Sequence, residues 1–92
     1  MIARRIIVRG RVQGVGFRYA MVDAAREAHV CGWVRNRRDG TVEALAQGEP
    51  GAVESAIAWC RRGPAGARVT DVEVAAVEVN SALKDFDMLA SS

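Results

Sequence analysis

The hydrophobic period of this chain switches repeatedly between two residues and three to four, and the order of the switches restricts the fold more than any other feature. Residues 4–12 alternate, with Ile6, Val8 and Val12 on one face and Arg5, Ile7, Arg9 and Arg11 on the other, which predicts a first strand. From Phe17 to Ala28 the apolar residues Phe17, Met21, Ala24, Ala25 and Ala28 take helical spacing, and His29 ends the run. Residues 31–38 and 41–48 read as a hairpin around Asp39-Gly40, a dipeptide suited to a tight turn, with Val34 and Asn36 on one face. A second helix is expected from about Pro50, carried by Val53, Ala56, Ile57 and Cys60 and terminated by Arg61, Arg62, Gly63 and Pro64. Residues 69–79 then alternate as a long strand, with Val72, Val74 and Ala76 on one face and Val77 and Val79 on the other. Phe86, Met88 and Leu89 suggest a short last strand, and residues 80–84 and 90–92 read as a loop and a frayed end. The succession βαββαβ implies an α+β fold of ferredoxin-like type, an antiparallel sheet with two helices packed on one face.

At 92 residues the chain is expected to form one domain over residues 1–92, burying roughly 60–65% of its unfolded surface. Half of its residues are hydrophobic, enough for a compact core. A formal net charge of +2 neither implies a nucleic-acid footprint nor excludes an anionic ligand, so local placement decides. The first half is basic, from Arg4 to Arg38, and the second carries most of the acids, from Glu43 to Asp87. Cys31 and Cys60 are too few for a disulfide framework and lack metal-ligand spacing, so they are expected to be reduced core residues. Charges every few residues in the first ten positions, and no long apolar run, argue against a leader or a membrane span; a cytoplasmic protein without membrane contact is expected.

The segment Gly10-Arg-Val-Gln-Gly-Val-Gly-Phe-Arg18, followed by Gly32-Trp-Val-Arg-Asn36, carries the chemistry. Glycines at 10, 14 and 16 allow positive φ and turn backbone N–H groups into a concave anion nest. Arg18 falls where that loop runs into a helix, so its forked donors join the helix N-terminus in gripping a tetrahedral oxyanion such as phosphate. Asn36 supplies a neutral donor and acceptor able to hold a water. Other phosphate loops fit badly. The nucleotide-binding pattern needs Gly-Lys-Ser/Thr where this chain has Gly16-Phe17-Arg18, and the dinucleotide pattern needs a third glycine where Tyr19 stands. His29, the single histidine, lies at the far end of the first helix and reads as a helix terminator rather than a base.

Gly10-x-Val12-Gln13-Gly14-Val15-Gly16-Phe17-Arg18, then Gly32-Trp33-Val34-Arg35-Asn36, then Asp39-Gly40 resembles the signature of the acylphosphatases, with a similarity running from about Ile6 to Val79 that takes in Gly63-Pro64-x-Gly66-Ala67-x-Val69. The resemblance implies hydrolysis of acyl phosphates, the mixed anhydrides of carboxylic and phosphoric acids, to a carboxylate and inorganic phosphate. It implies that the N–H groups of Val15, Gly16, Phe17, Arg18 and Tyr19 cradle the phosphate, that Arg18 clamps it, and that Asn36 positions the attacking water. No metal and no cofactor are expected; the partners implied are a small acyl phosphate and phosphate, with no nucleic acid or membrane, and a monomer is the simplest state. Against the family pattern, His29 stands in place of a usual glycine, Cys60 at a commonly larger apolar site, and Asp85 where a glycine usually precedes Phe86.

Two other classes use a similar frame. An RNA-recognition motif has the same element order, yet it carries stacking aromatics on central strands, whereas Phe17 and Tyr19 fall at a loop-to-helix junction and Trp33 and Trp59 suit packing. A non-catalytic phosphate- or nucleotide-sensing module would keep the loop and Arg18 without needing Asn36. The same module also opens longer carbamoyltransferases of hydrogenase maturation; this sequence carries none of their zinc-finger or transferase regions, so a freestanding enzyme is expected.

Overall fold

The computed structural model describes all 92 residues. The elements are β1 (Ile2–Arg11), α1 (Phe17–Glu27), β2 (Cys31–Asn36), β3 (Val42–Gly48), α2 (Pro50–Arg62), β4 (Arg68–Val77) and β5 (Phe86–Met88). They build a ferredoxin-like α+β sandwich whose sheet runs β4-β1-β3-β2-β5. The β4-β1, β1-β3 and β3-β2 pairings are antiparallel as expected, but β5 pairs in parallel with β2, Gly32 opposite Phe86 and Val34 opposite Met88. The sheet is therefore mixed. β4 and β5 lie at opposite edges, so residues 78–85 must cross the sheet, and the chain arrives at the far edge running in the direction of β2.

The period-two residues and the helical stripes meet as the sequence suggests. Ile6, Val8 and Val12, Val34, and Val42, Ala44 and Ala46 pack against Phe17, Met21 and Ala25 of α1 and Val53, Ala56 and Cys60 of α2, with Phe86 closing the far edge. Each large side chain removed from water in this layer contributes about 1.5–3 kcal/mol. Phe17 meets Trp59 edge to face at 5.2 Å, which ties the start of α1 to α2. His29 has φ 62, the left-handed conformation expected of a helix terminator.

The face without helices is not bare. Ile7, Glu43 and Gln47 are buried there. Arg5 and Arg35 reach Glu43 from either side at 2.6 and 2.7 Å, and their long stems cover the sheet. The Gln47 carboxamide accepts a hydrogen bond from Asn80 N at 2.8 Å and donates one to Asn80 O at 2.9 Å, which holds the crossing segment against the sheet. Cys31 lies on this face, half-buried and hydrogen-bonded to Gln47 O, so it is not the core residue expected from sequence; Cys60 is. Both thiols are free.

Candidate active site

β1 and β2 are both antiparallel to the intervening β3, so their C-terminal ends, Arg11 and Asn36, come out at the same end of the sheet. Residues 12–16 leave β1 there and turn into α1. Gly14 and Gly16 have φ of 73° and 76°, and a Cβ at either would meet no atom within 4 Å. Backbone conformation, not lack of room, therefore selects glycine at both positions. Gly10 departs from expectation: it pairs with Val69 beside a bulge at Thr70 of β4, where a Cβ would stand 2.1 Å from Arg68 O, and it takes no part in the loop.

Helix α1 begins without a side-chain cap and without an acidic residue in its first turn. Its first intrahelical bond is Ala20 N to Gly16 O at 3.0 Å, so the N–H groups of Phe17, Arg18 and Tyr19 have no acceptor within the helix. They form the positive end of the helix dipole. Arg18, half-buried, makes neither a hydrogen bond nor an ion pair within the protein, whereas Arg5, Arg9, Arg26, Arg35 and Arg37 are all engaged by carboxylates.

A cavity of about 160 Å³ lies at this end, lined by Val12, Gly14, Gly16, Phe17, Arg18, Tyr19 and Asn36. No carboxylate, thiol or imidazole borders it. The side chain of Asn36 makes no hydrogen bond within the protein, and its Oδ1 is buried without a partner. A polar group held in this way costs stability unless a ligand or water meets it. The arrangement thus joins a cationic fork, three oriented backbone donors and an unmet carboxamide around a space the size of a small anion.

Of the expected site residues, Gly16, Phe17, Arg18, Tyr19 and Asn36 come together in this cavity. Val15 does not border it; its side chain is partly buried and would lie 3.6 Å from a Cβ on Gly66. Gly14 and Val12 line the cavity although neither figured among the expected ligands, and the positive φ at Gly14 is the trace that glycine left in the sequence. Larger hollows exist near Trp59 between the helices, about 360 Å³, and near His29, about 460 Å³, but neither adjoins the start of α1. No group of three or more His, Cys, Asp or Glu side chains is placed to hold a metal ion. No helix is long and apolar enough to cross a membrane.

Comparison with known proteins accords with this geometry. The acylphosphatase family profile matches residues 4–88. The chain is 51% identical over 90 residues to an acylphosphatase of Pyrobaculum calidifontis, covering 97% of this chain and 82% of that one. The crystal structure of acylphosphatase from Bacillus subtilis superposes with a TM-score of 0.92 at 40% identity, covering 97% of this chain and 99% of that chain. Full-length HypF, in its phosphate- and nucleotide-bound form, matches with a TM-score of 0.89 at 32% identity, over 98% of this chain but 12% of that one. A family profile that matches residues 4–88, a relative half identical along nearly the whole chain and a solved acylphosphatase fold that superposes over 97% of it lead to one assignment: the chain belongs to the acylphosphatase family.

Proposed function

We propose that residues 1–92 act as one acylphosphatase domain that hydrolyses small acyl phosphates to carboxylate and inorganic phosphate by in-line attack of water, with no metal or cofactor in the step. In this reading the N–H groups at the start of α1 and the guanidinium of Arg18 hold the phosphoryl oxygens. Charge on those equatorial oxygens in the loose transition state is then met by fixed donors that need no reorganisation. Asn36 holds the attacking water. Its carboxamide, which borders the cavity, hydrogen-bonds the water and so orients the oxygen lone pair towards phosphorus.

The remaining groups follow from the leaving group. A carboxylate departs readily near neutrality, so no general acid is needed. A phosphate oxygen of the substrate takes the proton released by the water, consistent with a cavity bordered by no carboxylate, thiol or imidazole. The observation that carries the proposal is the unmet Asn36 carboxamide beside the uncommitted Arg18 in one cavity. A module that merely sensed phosphate would gain nothing from keeping that polar side chain unpaired.

The test is hydrolysis of a synthetic acyl phosphate by the purified chain with a chelator present, beside Arg18→Ala and a phosphate monoester control. Chelator-insensitive turnover of the acyl phosphate alone, lost together with phosphate binding in Arg18→Ala, is the expected result. A folded chain that binds phosphate without turning over the acyl phosphate overturns the proposal in favour of a sensing module.

A further inference from the structure

The two halves of the cavity come from elements that do not touch in the sheet. The loop follows β1, Asn36 ends β2, and β3 runs between them. Two strand spacings, about 10 Å, separate the two backbones along the sheet. A water held by Asn36 and a phosphate held by the loop must nevertheless keep a fixed approach line, because in-line displacement loses rate steeply when the reacting atoms shift.

Gln13 spans that gap. Its Nε2 donates to Arg37 O at 2.7 Å and to Thr41 O at 2.9 Å. These carbonyls form the mouth of the turn that begins directly after Asn36. No other side-chain hydrogen bond joins residues 12–18 to residues 36–42. Both acceptors are also satisfied inside the hairpin, Arg37 O by Gly40 N at 3.2 Å and Thr41 O by Arg37 N at 2.9 Å. The turn is further held by Asp39, whose carboxylate accepts from Thr41 N and Oγ1, and by Ser92 N donating to Asn36 O at 3.0 Å. The hairpin therefore closes without Gln13. What Gln13 alone adds is the tie between hairpin and loop, and its amide does not border the cavity.

We infer that Gln13 is a positioning residue of the reaction: it sets the distance and angle between the water on Asn36 and the phosphate in the loop. The inference rests on the in-line reading proposed above. Gln13 touches neither water nor phosphate, so its removal leaves the anion grip intact and spoils only the approach of the nucleophile.

The experiment uses Gln13→Leu, which keeps the volume and removes the donors, with Gln13→Glu as a second variant of equal length that cannot donate when ionised. For each, kcat and KM on a synthetic acyl phosphate, the inhibition constant of inorganic phosphate, and Tm are measured alone and in an Asn36→Ala background. The expected result is a kcat lower by about 10- to 100-fold with the phosphate inhibition constant unchanged within about twofold. Tm is expected to fall by no more than about 8 °C, as for loss of a hydrogen bond whose acceptors stay satisfied. In the Asn36→Ala background the Gln13 substitutions are expected to lower kcat no further, because the group they position is gone. An unchanged kcat, an equal fold-loss in both backgrounds, phosphate affinity falling in step with kcat, or variants that do not fold would each overturn the inference. Absence of turnover in the unsubstituted chain overturns the in-line reading and this inference with it, whereas normal turnover in both the chain and its Gln13 variants overturns this inference alone.

Discussion

Replacing Asn36 by alanine should separate stability from turnover. The Asn36 side chain makes no hydrogen bond within the protein, and its Oδ1 is buried. An unmet buried polar atom of this kind costs about 1–3 kcal/mol. Truncation removes that penalty but also loses packing of the amide. Since the amide borders a cavity, only part of its surface is in contact, and the loss is about 1 kcal/mol. The balance leaves the variant between unchanged and about 2 kcal/mol more stable, a rise in Tm of at most about 16 °C for a chain of this size. Turnover moves the other way. Loss of one preorganised polar contact to the reacting groups lowers kcat about 10²- to 10³-fold, or about 2.7–4 kcal/mol of barrier. Thermal unfolding followed by circular dichroism, together with initial rates on a synthetic acyl phosphate, reads both quantities. A stability loss above about 2 kcal/mol would show that Asn36 is a structural residue after all. A kcat within about threefold of the unsubstituted chain would remove it from the chemistry.

Other perturbations test the frame that carries the site. Burial pushes the Glu43 carboxyl up, but hydrogen bonds from Arg35 and Arg5 outweigh it and hold the group below its ordinary value of 4.5. A carboxylate depressed in the folded state stabilises above its unfolded pKa and ceases to as pH falls through the folded one. Urea midpoints should therefore drop below about pH 4.5 in the unsubstituted chain, and Glu43→Gln should be less stable by about 2 kcal/mol near pH 7 with a flatter acid limb. A Cβ at Gly32 would stand 1.8 Å from Leu45 O at φ 139, so Gly32→Ala should lose on the order of 4 kcal/mol or fail to fold, measured as the urea midpoint. Burial pushes the Cys60 thiol up to about 12, so a chromogenic disulfide reagent should react with Cys31 in the folded chain and with Cys60 only on unfolding.

Elements and site were legible to different depths. The two-residue period of Ile6, Val8 and Val12 and the helical spacing of Phe17, Met21 and Ala25 place the same residues in the core that the structure buries. The loop glycines and Arg18 were legible because positive φ and a fixed cation demand particular residue types. The hairpin at Asp39-Gly40 was legible too, although its strands stop at Asn36 and resume at Val42, since the Asp39 carboxylate draws Thr41 into the turn. Gly10 was misleading: a glycine required by close approach of Arg68 looks, in sequence, like one required by a loop.

What the sequence by itself determined about this protein is local: element types from hydrophobic period, turn positions from glycine, proline and aspartate, and an anion loop ending in arginine. Only the tertiary structure decided which of these meet. The parallel pairing of β5 with β2 depends on a crossing segment that has no periodicity of its own and is held by Gln47 to the backbone of Asn80. The burial of Glu43 on the helix-free face depends on Arg5 and Arg35, which come from two different strands. The approach of Asn36 to Arg18 depends on strand order, and the tie from Gln13 depends on a turn 24 and 28 residues away. Period and propensity act over a few residues, whereas these contacts form between segments that only the closed sheet brings together.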